Sequence, residues 1–194
     1  FDYRVLAPIE MVDPNGNHAE VYFDILGMVV ASAVKGKGNG TEGDDLNGFD
    51  DNLANPSAAE VQAFCTASDM DVDQAGKWLG RATARFVYHF GEPDRPPGAC
   101  GIVREIHVHA PGGAASPLQV SLECSDGSGN VLMKKMQAEP ASGQTGLRWI
   151  INGLTVLNNK GKPVKQYEPS FSEKGFGCEL PPAEGVTSIL YYDA

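Results

Sequence analysis

The chain is short of positive charge. Its 15 Lys and Arg face 25 Asp and Glu, giving a formal charge of -10 at pH 7 and a pI near 4.8. Such a surface excludes a phosphate-backbone partner, which needs a basic face, and adhesion to anionic lipid. No apolar run reaches the roughly 20 residues of a membrane-spanning helix. The four cysteines, Cys65, Cys100, Cys124 and Cys178, form no Cys-x-x-Cys pair, so their spacing excludes a zinc ribbon or finger. An extracellular setting would allow disulfides; the reading here is of thiols, with Cys124 a small apolar residue on a core face. There is no Gly-x-Ser-x-Gly elbow, and Lys35-Gly36-Lys37-Gly38 lacks both the spacing and the Ser or Thr of a phosphate-binding loop. Nothing assembles a nucleophile, a base and oxyanion donors, so the chain is not expected to be an enzyme, and no cofactor is implied.

What the chain has is a recurring turn. In Glu20–Val30, two apolar stretches flank Asp24 and Gly27, an Asp at the first and a Gly at the fourth place of a type I turn. Asp13-Pro14-Asn15-Gly16 repeats the frame, as do Asp126 with Gly129 and Asn158 with Gly161; Tyr192-Asp193-Ala194 begins a fifth copy. Two and four places before each Asp or Asn stand Met11 and Ile9, Tyr22 and Glu20, Cys124 and Leu122, Val156 and Leu154, Tyr191 and Ile189. Such spacing places each pair on one strand face, expected to be buried. Three places beyond each Gly come Ala19, Val30, Leu132 and Val164. A degenerate hairpin repeat and an extended sheet follow.

At 194 residues with 42% apolar and 21% charged residues, the chain has an ordinary globular composition. Phe1–Val34 reads as a β-meander. Residues 35–55 are Gly-rich and read as a mobile loop. Ser57-Ala58-Ala59-Glu60 is a capping box opening a short helix, and a second helical stretch runs from Asp73 to Leu79 before Gly80. Residues 36–79 therefore form a loop-and-helix insertion in a single β segment spanning 1–194. Strands are expected at 81–90, 102–109 and 186–192, and hairpins at 118–135 and 149–168.

Several groups invite chemistry. Asp13-Pro14-Asn15-Gly16 resembles the Asp-Pro-x-Gly element of a self-cleaving protease that pairs two carboxylates, but no second such element follows and a turn explains both Pro and Gly. His107 and His109 alternate and could share a strand face toward a metal, whereas His18 and His89 have no ligand spacing. Asp69, Asp71 and Asp73 open like a calcium loop, yet Gln74 and Gly80 stand where Gly and Glu are required. Trp78, Trp149, Tyr167 and Phe171 could make a sugar platform or simply pack a core; aromatics are only 8% of the chain.

The pattern resembles the RHS (YD) repeats of the insecticidal toxin complexes (Tc toxins), specifically their B component. The resemblance rests on Phe1-Asp2-Tyr3-Arg4-Val5-Leu6, Phe23-Asp24-Ile25-Leu26-Gly27-Met28-Val29-Val30, Ala82-Thr83-Ala84-Arg85-Phe86-Val87-Tyr88 and Arg104-Glu105-Ile106-His107-Val108. Its most specific stretches are Lys134-Lys135-Met136-Gln137-Ala138-Glu139-Pro140 and the run from Asn158-Asn159-Lys160-Gly161 through Gln166-Tyr167-Glu168-Pro169. The resemblance implies a mainly β fold: antiparallel RHS-type hairpin repeats in a curved meandering sheet, with a small helical insertion. It implies a non-catalytic strip of a hollow shell that encloses a toxin polypeptide. The implied partners are the rest of its own B-component chain, a C component and the enclosed polypeptide. The implied setting is a secreted bacterial virulence complex. Asp13, Gly16, Asp24, Gly27, Asp126, Gly129, Asn158 and Gly161 would be its structural turn residues. The chain begins Phe-Asp-Tyr without an initiator Met or leader, and is expected to be part of a longer polypeptide. The alternative is a β-rich surface module binding glycan or protein.

Overall fold

The computed structural model describes residues 1–37, 42–66, 72–92, 96–126, 128–143, 148–172, 177–178 and 187–192. Twelve strands are antiparallel wherever their register is defined: β1 (Glu10–Val12), β2 (Asn17–Phe23), β3 (Val29–Lys37), β4 (Ala84–His89), β5 (Gly98–Arg104), β6 (Leu118–Ser125), β7 (Val131–Ala138), β8 (Arg148–Asn152), β9 (Thr155–Leu157), β10 (Pro163–Tyr167), β11 (Ser170–Ser172) and β12 (Thr187–Ile189). Nine make one sheet in the order β1-β2-β3-β4-β5-β6-β7-β8-β11, and β12-β10-β9 make another. The mainly β, hairpin-built fold is the one the turn spacing predicts. The expected 149–168 hairpin is divided, however. Gly153 turns the chain at φ +70, and β8 and β9 enter different sheets. The strand expected at 102–109 ends at Arg104, where the chain breaks into turns.

Three short helices, α1 (Asp51–Ala54), α2 (Ala58–Thr66) and α3 (Val72–Leu79), lie between β3 and β4. The Asp50 side chain caps α1 by accepting from the Asn52 and Leu53 amides. At α2 the box closes reciprocally: the Ser57 amide donates to Glu60 Oε2 at 2.8 Å and the Glu60 amide to Ser57 Oγ at 3.3 Å. α3 stops at Gly80, whose φ of +58 suits a residue without Cβ.

The residues form two compact units, one of Phe1–Val61, Asp71–Val87 and Gly101–Val120, the other of Gln62–Met70, Tyr88–Cys100 and Ser121–Ala194. In the first, Val30, Ala31, Ala33, Ala75, Leu79, Val87 and Ile102 are buried. Arg85 is buried with them, donating to the carbonyls of Val30 (2.7 Å), Phe86 (2.7 Å) and Leu53 (2.6 Å), which compensates its lost hydration. In the second unit the core contains Leu122, Cys124, Met133, Trp149 and Ile151.

The repeat's expected buried face is realised in β6 alone, where Leu122 and Cys124 are buried. Ile9, Met11, Val156, Ile189 and Tyr191 are exposed, and Tyr22, Glu20 and Leu154 are half-buried. Period two fixes which residues share a face but not whether anything covers it. β1, β9 and β12 are sheet-edge strands, and Met11, Val156 and Ile189 on them are exposed.

The cysteine expectation is also corrected. Cys124 and Cys178 form a disulfide across a Cα–Cα distance of 6.4 Å, inside the range a bridge can span; Cys65 and Cys100 are buried thiols.

Candidate functional site

Four connections share one design. Gly16, Gly27, Gly129 and Gly161 have φ of +82, +82, +89 and +72. In three of them, those after Asp13, Asp24 and Asn158, the Gly amide donates to the carbonyl of the Asp or Asn three places earlier, at 2.9, 3.1 and 2.9 Å. The side-chain Oδ1 of that Asp or Asn accepts the amides two and four places on. Asp13 takes Asn15 and Asn17, Asp24 takes Leu26 and Met28, Asp126 takes Ser128 and Asn130, and Asn158 takes Lys160 and Lys162, all at 2.8–3.0 Å. The residue before each Asp or Asn pairs with the one six places later: Val12 with His18, Phe23 with Val29, Ser125 with Val131 and Leu157 with Pro163. Each is a tight turn closed by a glycine in the left-handed region, and it sets the register of each hairpin. The fifth copy, at Asp193, lies outside the described residues.

Gly16 and Gly27 share a φ of +82 but differ in surroundings. A Cβ on Gly16 would meet nothing within 4 Å, whereas one on Gly27 would lie 2.5 Å from Val5 Cγ1. Gly16→Ala is therefore expected to cost about 1 kcal/mol, from backbone strain alone. Gly27→Ala adds overpacking and is expected to cost about 2–4 kcal/mol in all. Urea unfolding of both variants checks the difference; equal losses would show that the Val5 contact yields freely.

A second constellation, not anticipated from the sequence, lies in the first unit. The loop expected to be mobile is pinned at Gly43, Asp44 and Asp45. A Cβ on Gly43 would come within 2.2 Å of the Val34 carbonyl oxygen, so close approach requires glycine here. Next to it the Asp44 amide donates to that oxygen at 2.8 Å. The Asp44 carboxylate is buried, at 3% exposure, accepting the Val108 amide (2.7 Å) on Oδ1 and the Thr83 hydroxyl (2.7 Å) on Oδ2. Thr83 Oγ1 in turn accepts the Val34 amide at 2.9 Å. Arg104 Nε lies 3.5 Å from Asp44 Oδ1 and donates to the Ala82 carbonyl at 2.7 Å, while Nη2 donates to the Gly80 carbonyl. Asp45 takes a two-pronged contact from Arg81, Nε to Oδ1 at 2.8 Å and Nη2 to Oδ2 at 2.6 Å. His109 Nδ1 lies 2.6 Å from the Gly43 carbonyl, which can only accept; Nδ1 carries the proton, and Nε2 accepts from Arg81 Nη2 at 2.9 Å. The adjacent Asp44-Asp45 pair in a Gly-rich stretch was the available signal.

Arg81 holds the Asp45 carboxyl below the ordinary aspartate value near 3.8, and Asp45 raises Arg81 in return. The unfolded chain lacks this pair, so the folded state binds the Asp45 proton more weakly. Its stabilisation is complete above about pH 4 and is lost as the pH falls through the depressed folded value. Urea unfolding between pH 3 and 7 is expected to show an acid-side decline that Asp45→Asn makes shallower. An unchanged slope would remove the pair from the acid response.

The remaining candidates do not converge. His107 and His109 sit in turns after β5 rather than on a strand, and His107 Nδ1 is buried without a hydrogen-bond partner. His18 Nδ1 contacts Glu10 Oε1 at 3.0 Å, and His89 Nδ1 accepts the Gly91 amide at 3.1 Å. Among the described residues no three His, Cys, Asp or Glu side chains gather to hold a metal. Asp69 and Asp71, and the side chain of Asp73, lie outside the described residues. Trp149 is buried, Trp78 lies 5.8 Å from the Arg85 guanidinium and Phe171 is covered by that of Arg148 at 3.7 Å. Tyr167 is half-buried on β10. No described helix is long and apolar enough to cross a membrane.

No family model and no curated protein matches this chain. Solved structures do. A chain of the TcdB2-TccC3 crystal structure matches with a TM-score of 0.60 at 23% identity, over 90% of this chain and 8% of that one. A chain of the TcdB2-TccC3-TEV crystal structure gives 0.61 at 17% identity, over 91% and 11%. The Tc holotoxin pore of Photorhabdus luminescens gives 0.61 at 17%, over 90% and 11%. The chain thus spans about a tenth of the length of these neighbours, and it shares the fold of a segment within Tc toxin chains.

Proposed function

We propose that this chain is a non-catalytic wall segment of a hollow RHS-repeat shell that encloses a toxin polypeptide in a secreted bacterial toxin complex. The observation that carries the reading is the fourfold Asx-x-x-Gly turn with one shared pairing, three times in the nine-stranded sheet, whose first eight strands follow chain order, and once in the three-stranded sheet. Antiparallel strands laid side by side through such turns let wall area grow with chain length. The fold likeness to segments of TcdB2-TccC3 chains supports the same reading. Its partners would be the remainder of a B-component chain, a C component and the enclosed polypeptide. The edge positions of β1 and β12 suit a segment continued by neighbours.

The test uses the longer polypeptide containing this segment, co-expressed with a C component. The enclosed polypeptide is expected to resist protease while the wall is intact and to become cleavable when residues 1–194 are excised. Continued protection after excision would overturn the reading. Binding of glycans by the isolated segment would favour the surface module instead.

A further inference from the structure

The first unit contains a cleft of about 590 Å³, lined by Gly76, Lys77, Leu79 and Gly80 on one side and by Arg104, the 3₁₀ turn Gly113–Ala115, Ser116 and Leu118 on the other. That volume falls within the range of small-ligand pockets. Among the described residues its lining cations are Lys77 and Arg104, and no carboxylate lines it.

Arg104 is the unusual wall. Its side chain is only 7% exposed, and burial pushes its guanidinium below the ordinary arginine value despite Asp44 nearby. Nε and Nη2 are committed to the Ala82 and Gly80 carbonyls. Asp44 gives incomplete compensation: both its oxygens serve Val108 and Thr83 at 2.7 Å, and its approach to Arg104 is 3.5 Å. Among the described residues these contacts leave Nη1 uncommitted. A fixed guanidinium with one uncommitted nitrogen, beside an exposed ammonium and the half-buried Leu118, matches an anion carried on an aliphatic body.

We propose that this cleft binds a carboxylate on a short aliphatic body, the carboxylate meeting Arg104 Nη1 and Lys77 and the body lying against Leu118. The same chemistry is offered by a free aliphatic acid and by a glutamate side chain flanked by apolar residues in a peptide. Neither the shell reading nor its failure bears on this site, which depends on the first unit alone.

The experiment is NMR titration of the chain with butyrate, with the capped peptide acetyl-Leu-Glu-Leu-amide and with inorganic phosphate. Saturable shifts of the Lys77, Arg104 and Ala114 signals are expected with butyrate or the peptide. The tighter of the two identifies the source, and phosphate is expected to bind at least tenfold more weakly. Leu118→Trp, which fills the cleft, is expected to abolish the shifts. Ala114→Glu is expected to weaken binding at least tenfold by supplying the carboxylate internally, and Lys77→Ala several-fold. All three change wall residues outside the Arg104–Asp44 cluster, and their proton spectra report folding independently. The proposal is overturned by absence of saturable shifts in the folded wild-type chain, by phosphate binding as tightly as butyrate, or by undiminished binding in folded Leu118→Trp.

Discussion

Asp44→Ala is expected to cost about 3–5 kcal/mol, the range for breaking a buried ion pair from one side. The substitution strands three groups at once. The Val108 amide and the Thr83 hydroxyl each lose an acceptor at 2.7 Å, and Arg104 keeps its buried charge without the carboxylate 3.5 Å from it. Each orphaned donor alone costs about 1–3 kcal/mol. Such a loss is a large share of the roughly 5–15 kcal/mol that holds an ordinary domain together. Asp44→Asn separates charge from hydrogen bonding. Its Oδ1 can still accept the Val108 amide, and its Nδ2 can donate to Thr83 Oγ1, so a smaller loss is expected. Urea unfolding measures the totals, and hydrogen exchange at the Val108 and Val34 amides locates them. A loss under about 1 kcal/mol for Asp44→Ala would show that the loop is not held by this carboxylate.

Opening the Cys124–Cys178 bridge is expected to be comparably costly. The two residues are 54 apart in sequence, and the loop-entropy relation gives about 4 kcal/mol for a loop of that length. Cys124 is buried on β6 among Leu122, Met133 and Trp149, a site where a small apolar group is acceptable. Cys178→Ala therefore removes the tether with little damage to the core. Next to the bridge, the Gly177 carbonyl accepts from the buried Lys135 ammonium at 3.2 Å, and that contact is expected to loosen with the tether. Unfolding with and without reductant reads the effect, and Cys178→Ala should mimic reduction and be insensitive to it. A reductant-independent midpoint in the wild-type chain would overturn the assignment.

The turns were legible because their chemistry is local. An Asp or Asn that can accept amides two and four places on, with a Gly that can take positive φ, is written within five residues. The capping box at Ser57 and Glu60 was legible for the same reason. What was not legible depends on partners far along the chain. Met11 and Cys124 occupy equivalent places in the repeat, yet one is exposed and the other buried, because covering a face is a property of tertiary packing. The disulfide escaped because Cys124 and Cys178 carry no spacing signal. The Asp44 cluster escaped because glycine-rich composition says loop, while Thr83, Arg104 and Val108 supply the restraint. His107 and His109 alternate in sequence, but alternation signals a shared face only where a strand continues, and this one ends at Arg104.

The strand order has a consequence for how the molecule is made. From β1 to β8 each strand lies against the one synthesised just before it, so the sheet can be laid down in the direction of translation. Two places interrupt that progression. β4 must wait while residues 38–83, with α1 to α3, are completed, and β8 is left with an open edge until β11 arrives after β9 and β10. At those moments the unfinished edges of β3 and β8 are the sites most exposed to mispairing on a crowded ribosome.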